Sequence, residues 1–199
     1  MDHELTILSD SMSEAGREVL RLAAAGFETY TKADQSPVTS ADLAVNQILH
    51  DRLSAAFPED GWLSEETADN AARLSRTRVW IVDPIDGTRS FLRGLPEFCL
   101  SVALVENGVP SVAAIFNPAT GEFFSAIRGR GVRVERLMDT DQPAFTSQER
   151  PVALVNPWEL RVGRLDGLQT HLHCRPIGSI AYALALVAAG QADAVVTLA

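Results

Sequence analysis

Residues 80–91 read WIVDPIDGTRSF, and this stretch constrains the fold more strongly than any other part of the chain. A β-branched and aromatic run ends at Asp83-Pro84, where proline can donate no hydrogen bond to a neighbouring strand. The pattern predicts a strand over 78–82 that stops at a loop carrying two carboxylates. A short helix is expected to follow, beginning near Gly87.

The two carboxylates of this loop, Asp83 and Asp86, are the first candidate functional residues. Pro84 and Gly87 restrict and bend the backbone, so both side chains can face one point. Like charges at that separation repel unless a cation lies between them, and Mg²⁺ prefers carboxylate oxygens. The N–H groups of a helix starting near Gly87 would seat an anion beside the metal. Asp, Pro and Gly are also common turn residues, so an ordinary turn is the competing interpretation.

Helices are expected before this strand and a meander after it. Apolar residues recur at helical spacing over 4–27, and Ser40 is expected to cap a second helix that ends near Phe57. Three apolar runs then predict an antiparallel meander, the first two being joined by the hairpin signal Asn107-Gly108. These runs are FCLSVALVE, VPSVAAIFN and EFFSAI, with GRGVRVE as a further edge strand.

The last third of the chain alternates differently. The patterns predict a strand at PVALV, helices over 158–172 and 179–189, and a strand over 192–198. On the first of these helices the histidines of HLHC would point to different faces, which disfavours a transition-metal site there. The predicted class is α/β (α+β), with helices packed on a largely antiparallel sheet. The domain prediction is a metal-bearing half over 1–138, a polar connector over 139–150 and a smaller α/β half over 151–199.

Composition excludes several functional classes. With a net charge of -9 the chain offers no basic surface to a nucleic-acid polymer and no run of Lys or Arg to an anionic membrane. No segment approaches the ~18 apolar residues of a membrane span, and the N-terminal stretch lacks a signal-peptide core, so a cytoplasmic location is expected. Cys99 and Cys174 form neither a CxxC pair nor a disulfide framework.

A second acidic pair, Glu65 and Glu66 in GWLSEET, precedes the strand that carries the aspartates. At least one of these side chains could converge on the same metal ions. An adjacent Glu pair is more often a solvated face, which is the competing interpretation.

DPIDGTRSF resembles the signature of the inositol monophosphatase family, the Mg²⁺-dependent, lithium-sensitive phosphatases that include bisphosphate nucleotidases and relatives of fructose bisphosphatase. SPVTSAD looks like the family's upstream Thr-Asp segment, WLSEE like its glutamate motif, and PIGSIAYALALVAAGQADA like its C-terminal motif. These segments occur in the family's order and span most of the chain. The resemblance implies a layered helix–sheet–helix sandwich of the inositol monophosphatase and fructose bisphosphatase type.

The resemblance also implies a metal site. Glu65, Asp83 and the backbone carbonyl of Ile85 would hold one Mg²⁺ ion, Asp83 and Asp86 would hold a second, and two or three ions per site are expected, with Glu66 in a supporting position. Paired ions ~3.5 to 4 Å apart clamp the attacking and leaving oxygens of an in-line displacement.

Thr88 and Asp42 resemble the pair that orients and deprotonates the attacking water. Thr88 could also be a helix cap, and Asp42 a first-turn acid that favours the helix dipole, and both roles can hold together.

The resemblance places the phosphate against the main chain of the signature and adds two contacts from elsewhere. Lys32 would be one contact, although a loop lysine is more often merely solvated. Gly178 and Ser179 look like a substrate-side helix start, with an ordinary cap after Pro176 as the alternative. The expected phosphate-binding and substrate-binding residues are Ile85, Asp86, Gly87, Thr88, Lys32 and Ser179.

The implied function is Mg²⁺-dependent hydrolysis of a small phosphomonoester. A 3'(2'),5'-bisphosphate nucleotide is the expected substrate, because DPIDGTRSF followed by GLPEFCLSVALVENG looks closest to bacterial bisphosphate nucleotidases. Inositol-1-monophosphatase and histidinol-phosphatase activities are the alternatives, and Thr197 stands where inositol-cleaving members place a substrate-binding glutamate. Family members are often homodimers, so a homodimer is expected.

Family members normally continue past ADAVVTLA into a Trp-Asp motif whose aspartate completes the second metal site. This chain stops at Ala199, short of that motif. Truncation, a genuine shortened form and completion by a partner are three explanations, and truncation is the expected one because the chain stops inside a strand-like run. A catalytically weak module that binds phosphate and metal is the alternative from another functional class.

Overall fold

A computed structural model describes residues 1–140 and 151–198. Its α-helices are α1 Asp2–Ala25, α2 Ser40–Ala56, α3 Thr88–Phe91, α4 Pro157–Arg161, α5 Asp166–Gln169 and α6 Ile180–Ala188, with a 3-10 turn at Ala71–Ser75. Its strands are β1 Thr29–Thr31, β2 Pro37–Thr39, β3 Gly61–Ser64, β4 Arg78–Asp86, β5 Cys99–Glu106, β6 Val109–Asn117, β7 Glu122–Ile127, β8 Val132–Arg136, β9 Val152–Val155, β10 His173–Pro176 and β11 Ala194–Val196.

The largest sheet has six strands in the order β3-β4-β5-β6-β7-β8. The β3–β4 pair is parallel, and every later neighbour is antiparallel, so the predicted meander and its edge strand are confirmed. Successive side chains of a strand point to opposite faces, and both faces of this sheet are apolar. In β7, for example, Phe123 belongs to one core and Phe124 to another.

The first face of the sheet is covered by α1 and α2, which also pack against each other. Their apolar residues, among them Leu8, Met12 and Leu49, are fully buried against Trp80 of β4 and Phe116 of β6. Burial of such side chains stabilises each by about 1.5–3 kcal/mol relative to exposure, so this core holds the two helices in place.

The second face is covered by α6, which contacts β4, β5 and β6. A smaller parallel sheet, in the order β10-β9-β11, lies beside α6 and shares its apolar residues, such as Leu154 and Leu186. Helices therefore lie on both faces of the large sheet, and the predicted helix–sheet–helix sandwich is confirmed.

Three local predictions were wrong. The expected helix over 158–172 is two short helices, α4 and α5, because Gly163 adopts a left-handed φ of 75 between them. The HLHC segment runs into strand β10 instead of forming part of a helix. Thr39, not Ser40, caps α2, because its hydroxyl accepts from the N–H groups of Ala41 and Asp42.

The domain boundaries at 1–138, 139–150 and 151–199 remain predictions, and most of the connector, residues 141–150, lies outside the described residues. None of the described helices is both long enough and apolar enough to cross a membrane.

Candidate metal and phosphate site

A bulge near the end of β4 brings its two aspartates to one side. Asp83 pairs with Ser101 and Asp86 with Cys99, so β4 uses one more residue than β5 between these pairs. Residues three apart in a regular strand face opposite sides, and one extra residue cancels that alternation. The strand extends to Asp86, past the predicted stop, and Ile85, only 2% exposed, anchors the bulge in the core.

Gly87 turns the chain from β4 into α3. Its φ of 94 lies in the left-handed region that favours glycine. A Cβ at this position would lie 2.9 Å from the carbonyl oxygen of Glu97 and 3.1 Å from Cβ of Ser179. Glycine is therefore required here both by conformation and by close packing, and it lets the start of α3 lie directly after Asp86.

Glu65 reaches the aspartates through the register of the parallel β3–β4 pair. Ser64 is the partner of Val82, and the N–H of Glu65 donates to the Val82 carbonyl at 3.3 Å. The next residue of each strand is then a carboxylate, Glu65 in one and Asp83 in the other. The ends of two parallel strands thus place Glu65 beside Asp83, as the sequence interpretation required.

Lys32 lies over this edge from the loop between β1 and β2. Its ammonium donates to Glu65 Oε1 and to Glu66 Oε1, each at 2.7 Å. Burial lowers the pKa of Lys32, but the bonds to the two glutamates outweigh burial and leave that pKa raised. Burial also raises the pKa of Glu66, although Lys32 opposes this. Lys32 is therefore a cation among carboxylates, and its expected phosphate contact remains a prediction.

Asp83 has the most perturbed carboxyl group of the site. Burial, followed by the negative charges of Asp86, Glu65, Asp42 and Glu66, raises its pKa from 3.8 to about 7. No side chain or N–H group within the described ranges donates a hydrogen bond to the Asp83 carboxylate. A carboxylate in this position needs a positive charge, because four like charges surround it and the nearby cation, Lys32, is bound to Glu65 and Glu66.

Asp86 is held from the opposite half of the molecule. Its Oδ2 accepts from Ser179 Oγ and from the Ala181 N–H, both at 2.6 Å. Ser179 is fully buried, and its hydroxyl also caps α6 by accepting from Tyr182 N at 3.0 Å. The alternative role of Ser179 as a helix cap is confirmed, and its bonds fix Asp86 and the start of α6 together, while its predicted substrate contact stays a prediction.

Asp42 and Thr88 form a pair behind the aspartates. Asp42 Oδ2 accepts from the N–H and the hydroxyl of Thr39 at 2.8 and 2.6 Å, which completes a capping box on α2. Thr88 Oγ1 lies 3.3 Å from Asp42 Oδ1 and 2.9 Å from the carbonyl oxygen of Ile85. Burial raises the pKa of Asp42 despite the bonds from Thr39. The cap role and the predicted proton-accepting role of Asp42 are thus compatible in one geometry.

A cavity of about 210 Å³ opens over these groups. Six of the predicted site residues line it, as does Gly178, and three residues that the sequence did not single out also line it. The new residues are Ser36, Pro37 and Arg89, all inside or next to a recognised motif, so their position in those motifs was the available signal. The predicted residues on the wall are Glu65, Asp83, Ile85, Asp86, Gly87 and Thr88.

The donor set suits a hard divalent cation, because it consists of carboxylates and one carbonyl. Across residues 1–140 and 151–198, however, no three His, Cys, Asp or Glu side chains already stand in an arrangement that would hold a metal ion. The hydrogen bonds explain this: Lys32 engages Glu65, and Ser179 engages one oxygen of Asp86. The uncompensated charge around Asp83 fits a cation, and Glu65 would have to leave Lys32 to join it.

The whole chain, residues 1–199, matches the model of the inositol monophosphatase family. Its relatives include a histidinol-phosphatase of Mycobacterium tuberculosis, 39% identical over 66% of this chain and 50% of its own. An inositol-1-monophosphatase of Rhizobium meliloti is 32% identical over 95% of this chain and 74% of its own. The 3'(2'),5'-bisphosphate nucleotidase CysQ of Escherichia coli is 35% identical over 55% of this chain and 45% of its own.

Solved structures share the fold. The extragenic suppressor protein suhB of Bartonella henselae superposes with a TM-score of 0.78 at 27% identity, covering 96% of this chain and 76% of its own. An IMPase of Thermotoga maritima superposes with a TM-score of 0.77 at 26% identity, covering 97% of this chain and 74% of its own. The chain spans about half the length of the first curated relatives it matches. Sequence motifs, fold and family match agree, and the chain belongs to the inositol monophosphatase family.

Proposed function

We propose that this chain is a Mg²⁺-dependent phosphomonoesterase that acts on a small phosphorylated metabolite. The observation that carries the proposal is the environment of Asp83, a carboxylate surrounded by four others at the edge of a cavity. A structural ion-pair network would supply cations to such a group, whereas a metal site leaves the charge to be neutralised by the ion.

The residues that would hold Mg²⁺ are Glu65, Asp83, the Ile85 carbonyl and Asp86. When bound, Mg²⁺ would neutralise these carboxylates, stabilise charge on the phosphoryl oxygens and acidify water. The Ile85 carbonyl already accepts from Thr88 at 2.9 Å, which fixes its direction. Ser179 and the Ala181 N–H fix Asp86 in the same way, so two of the donors are oriented before any ion arrives.

Thr88 and Asp42 would handle the proton. When the Thr88 hydroxyl turns its one proton from the Ile85 carbonyl, 2.9 Å away, to Asp42 Oδ1, 3.3 Å away, its oxygen can accept from a water in the cavity. The raised pKa of Asp42 makes this carboxylate a better proton acceptor than an exposed aspartate. Thr39 keeps its second oxygen occupied, so a proton from Thr88 is directed to Oδ1.

The phosphate would lie where Gly87 begins α3. The first N–H groups of a helix have no partner within it and point toward an anion placed there. Gly87 without a side chain leaves this approach open, and Lys32 would add positive charge once a metal ion occupies its glutamates.

For the substrate we propose a 3'(2'),5'-bisphosphate nucleotide. The match of DPIDGTRSF and the following strand to bisphosphate nucleotidases, and the CysQ relative, support this choice. Relatives named histidinol-phosphatase and inositol-1-monophosphatase keep those two substrates as alternatives.

The test is phosphate release by the purified chain from adenosine 3',5'-bisphosphate, inositol 1-phosphate and histidinol phosphate, with Mg²⁺ or with EDTA. We expect Mg²⁺-dependent turnover that falls at least about a hundredfold in Asp86→Asn. Asp10→Asn, on an exposed face of α1, is the matched control and should retain activity. Turnover that persists in EDTA, or full activity of Asp86→Asn, would refute the proposal.

Calorimetry distinguishes the proposed enzyme from the alternative of another functional class, a module that binds phosphate and metal without turnover. Titration with Mg²⁺ and adenosine 3',5'-bisphosphate that gives binding, combined with no phosphate release on any substrate, would replace the enzyme proposal with this one.

A further inference from the structure

A second cavity adjoins the candidate site and has a different character. It measures about 470 Å³, and Arg89, Arg93 and Arg161 line it, together with Trp158. Arg89 and Gly178 line both this cavity and the one over the aspartates, so the two cavities adjoin. We refer to the space lined by these three arginines as the arginine pocket.

The three arginines come from two short helical segments that the fold brings together. Arg89 in α3 and Arg93 just after it are four residues apart, so they lie on one face of that turn. Trp158 and Arg161 are three apart in α4, which Asn156 caps by accepting from Trp158 N at 2.8 Å. Two short helices from opposite halves of the chain thus contribute to one pocket, a juxtaposition that only the tertiary fold creates.

The charges of the arginine pocket are unmatched. Within the described parts of the chain, neither a carboxylate nor a hydrogen-bond acceptor is paired with Arg89, Arg93 or Arg161. This is unusual in a chain of net charge -9, where Arg78, for example, is bound by both Glu4 and Asp60. Guanidinium groups grouped in a concave site, without counterions, match the geometry of phosphate oxygens.

Resting on the proposed function, we infer that the arginine pocket binds a second anionic group of the substrate while the phosphate to be cleaved lies over Asp83 and Asp86. The substrate class is then a metabolite carrying two phosphates or a phosphate and a sulfate. Histidinol phosphate carries an ammonium group that three unpaired arginines would repel, and inositol 1-phosphate carries no second anion. The positive charge of the arginine pocket therefore favours the bisphosphate nucleotide over the other two substrate alternatives.

The experiment compares adenosine 3',5'-bisphosphate with adenosine 3'-phosphate, which has the same 3'-phosphate but lacks the second group. We expect a higher kcat/KM for the bisphosphate, and a ratio between the two that falls about tenfold in Arg93→Gln and in Arg161→Gln. Raising the salt concentration should reduce the ratio as well. Arg133→Gln, an exposed arginine of β8, is the matched control and should leave both values unchanged.

Equal kcat/KM for the two nucleotides, or a ratio that survives both substitutions, would overturn the inference and leave the phosphatase proposal standing. If neither nucleotide is hydrolysed, phosphate release from inositol 1-phosphate and histidinol phosphate decides the phosphatase proposal, and calorimetric binding of the two nucleotides decides the inference. Tighter binding of the bisphosphate that is lost in Arg161→Gln would uphold the pocket, and equal binding would reject it.

Discussion

At the scale of single residues, the site is held together at a cost to the fold. Asp83 lies among four carboxylates, and Gly87 packs so closely that no side chain fits. The charge around Asp83 opposes stability in the protein without metal, which is typical of residues retained for function, whereas glycine is the residue that position 87 accommodates. Substitution of Asp83 should therefore separate stability from activity, whereas substitution of Gly87 should lower both.

Asp83→Asn is expected to stabilise the metal-free protein and to abolish activity. The folded-state pKa of about 7 exceeds the ordinary value of 3.8, so folding favours the protonated form. The resulting cost is absent below about pH 4, grows as the pH rises to about 7, and stays constant above that. With EDTA, the variant should gain about 2 kcal/mol in free energy of unfolding at pH 8 and little at pH 4. Urea unfolding at both pH values measures this, and equal gains at both would contradict it.

Gly87→Ala should be more destabilising than Gly94→Ala. Both glycines have positive φ, 94 and 66, but a Cβ at Gly94 meets nothing within 4 Å, whereas one at Gly87 meets the Glu97 carbonyl. The conformational cost is therefore common to both, and the difference of about 1–3 kcal/mol comes from the clash. Thermal unfolding checks the stability, and phosphate release should be lost only in Gly87→Ala. Equal melting temperatures for the two variants would contradict this prediction, because they would show that the structure around residue 87 shifts to accommodate the Cβ without cost.

At the scale of elements, two junctions position the chemistry. The parallel pairing of β3 with β4 carries Glu65 to Asp83, and the capping box of α2 carries Asp42 to Thr88. In each case the main-chain pattern at one end of an element also positions a side chain of the candidate site. Damage to such a junction should therefore lower stability and activity together.

Thr39→Ala should remove the cap of α2 and the hydroxyl bond to Asp42 Oδ2, while the main-chain N–H of residue 39 still donates to that oxygen. We expect a loss of about 1–2 kcal/mol in stability. The pKa of Asp42 should rise further without the Thr39 hydroxyl bond that lowers it, so the acid limb of the pH–rate profile should shift upward. Thr39→Ser keeps the hydroxyl and is the control that should preserve both quantities. If Thr39→Ala loses stability but the acid limb of its pH–rate profile does not shift, Asp42 takes no part in proton transfer.

At the scale of the whole molecule, α6 joins the two parts of the chain. It packs on the large sheet, and its first turn holds Asp86 through Ser179 and the Ala181 N–H. Tyr182 of the same turn packs against Phe124 and donates to the Glu122 carboxylate of β7. The site is therefore complete only when both parts are folded against each other. Homodimer formation, by contrast, stays a prediction.

Tyr182→Phe should weaken this connection. Glu122 is 2% exposed, and its Oε1 finds no hydrogen-bond partner in the described parts of the chain, so removal of the Tyr182 hydroxyl would strand the other oxygen as well. We expect a loss of about 1–3 kcal/mol. Tyr30→Phe removes an exposed hydroxyl that also contacts a glutamate and should cost less than about 0.5 kcal/mol. Chemical unfolding of both variants provides the measurement, and similar losses would refute the stated role of Tyr182.

Whether the sequence predicts a feature of the fold or of the site depends on how far apart in the chain the interacting residues lie. The helices α1 and α2, the meander and the turn at Gly87 depend on local periodicity and turn chemistry, and all were predictable. The break at Gly163 was missed because the apolar pattern around it continues, and the capping residue of α2 was misplaced by one position because Thr39 and Ser40 both suit a cap.

By itself, the sequence determined which carboxylates could meet, since Asp83, Asp86 and Glu65 stand at the ends of strands in recognisable motifs. Only the tertiary structure decided what surrounds them. The bulge in β4, the Lys32 bridge, the bonds from Ser179 and the arginine pocket each join segments far apart in the chain. Such contacts depend on register and packing between elements, and local sequence patterns carry no information about either.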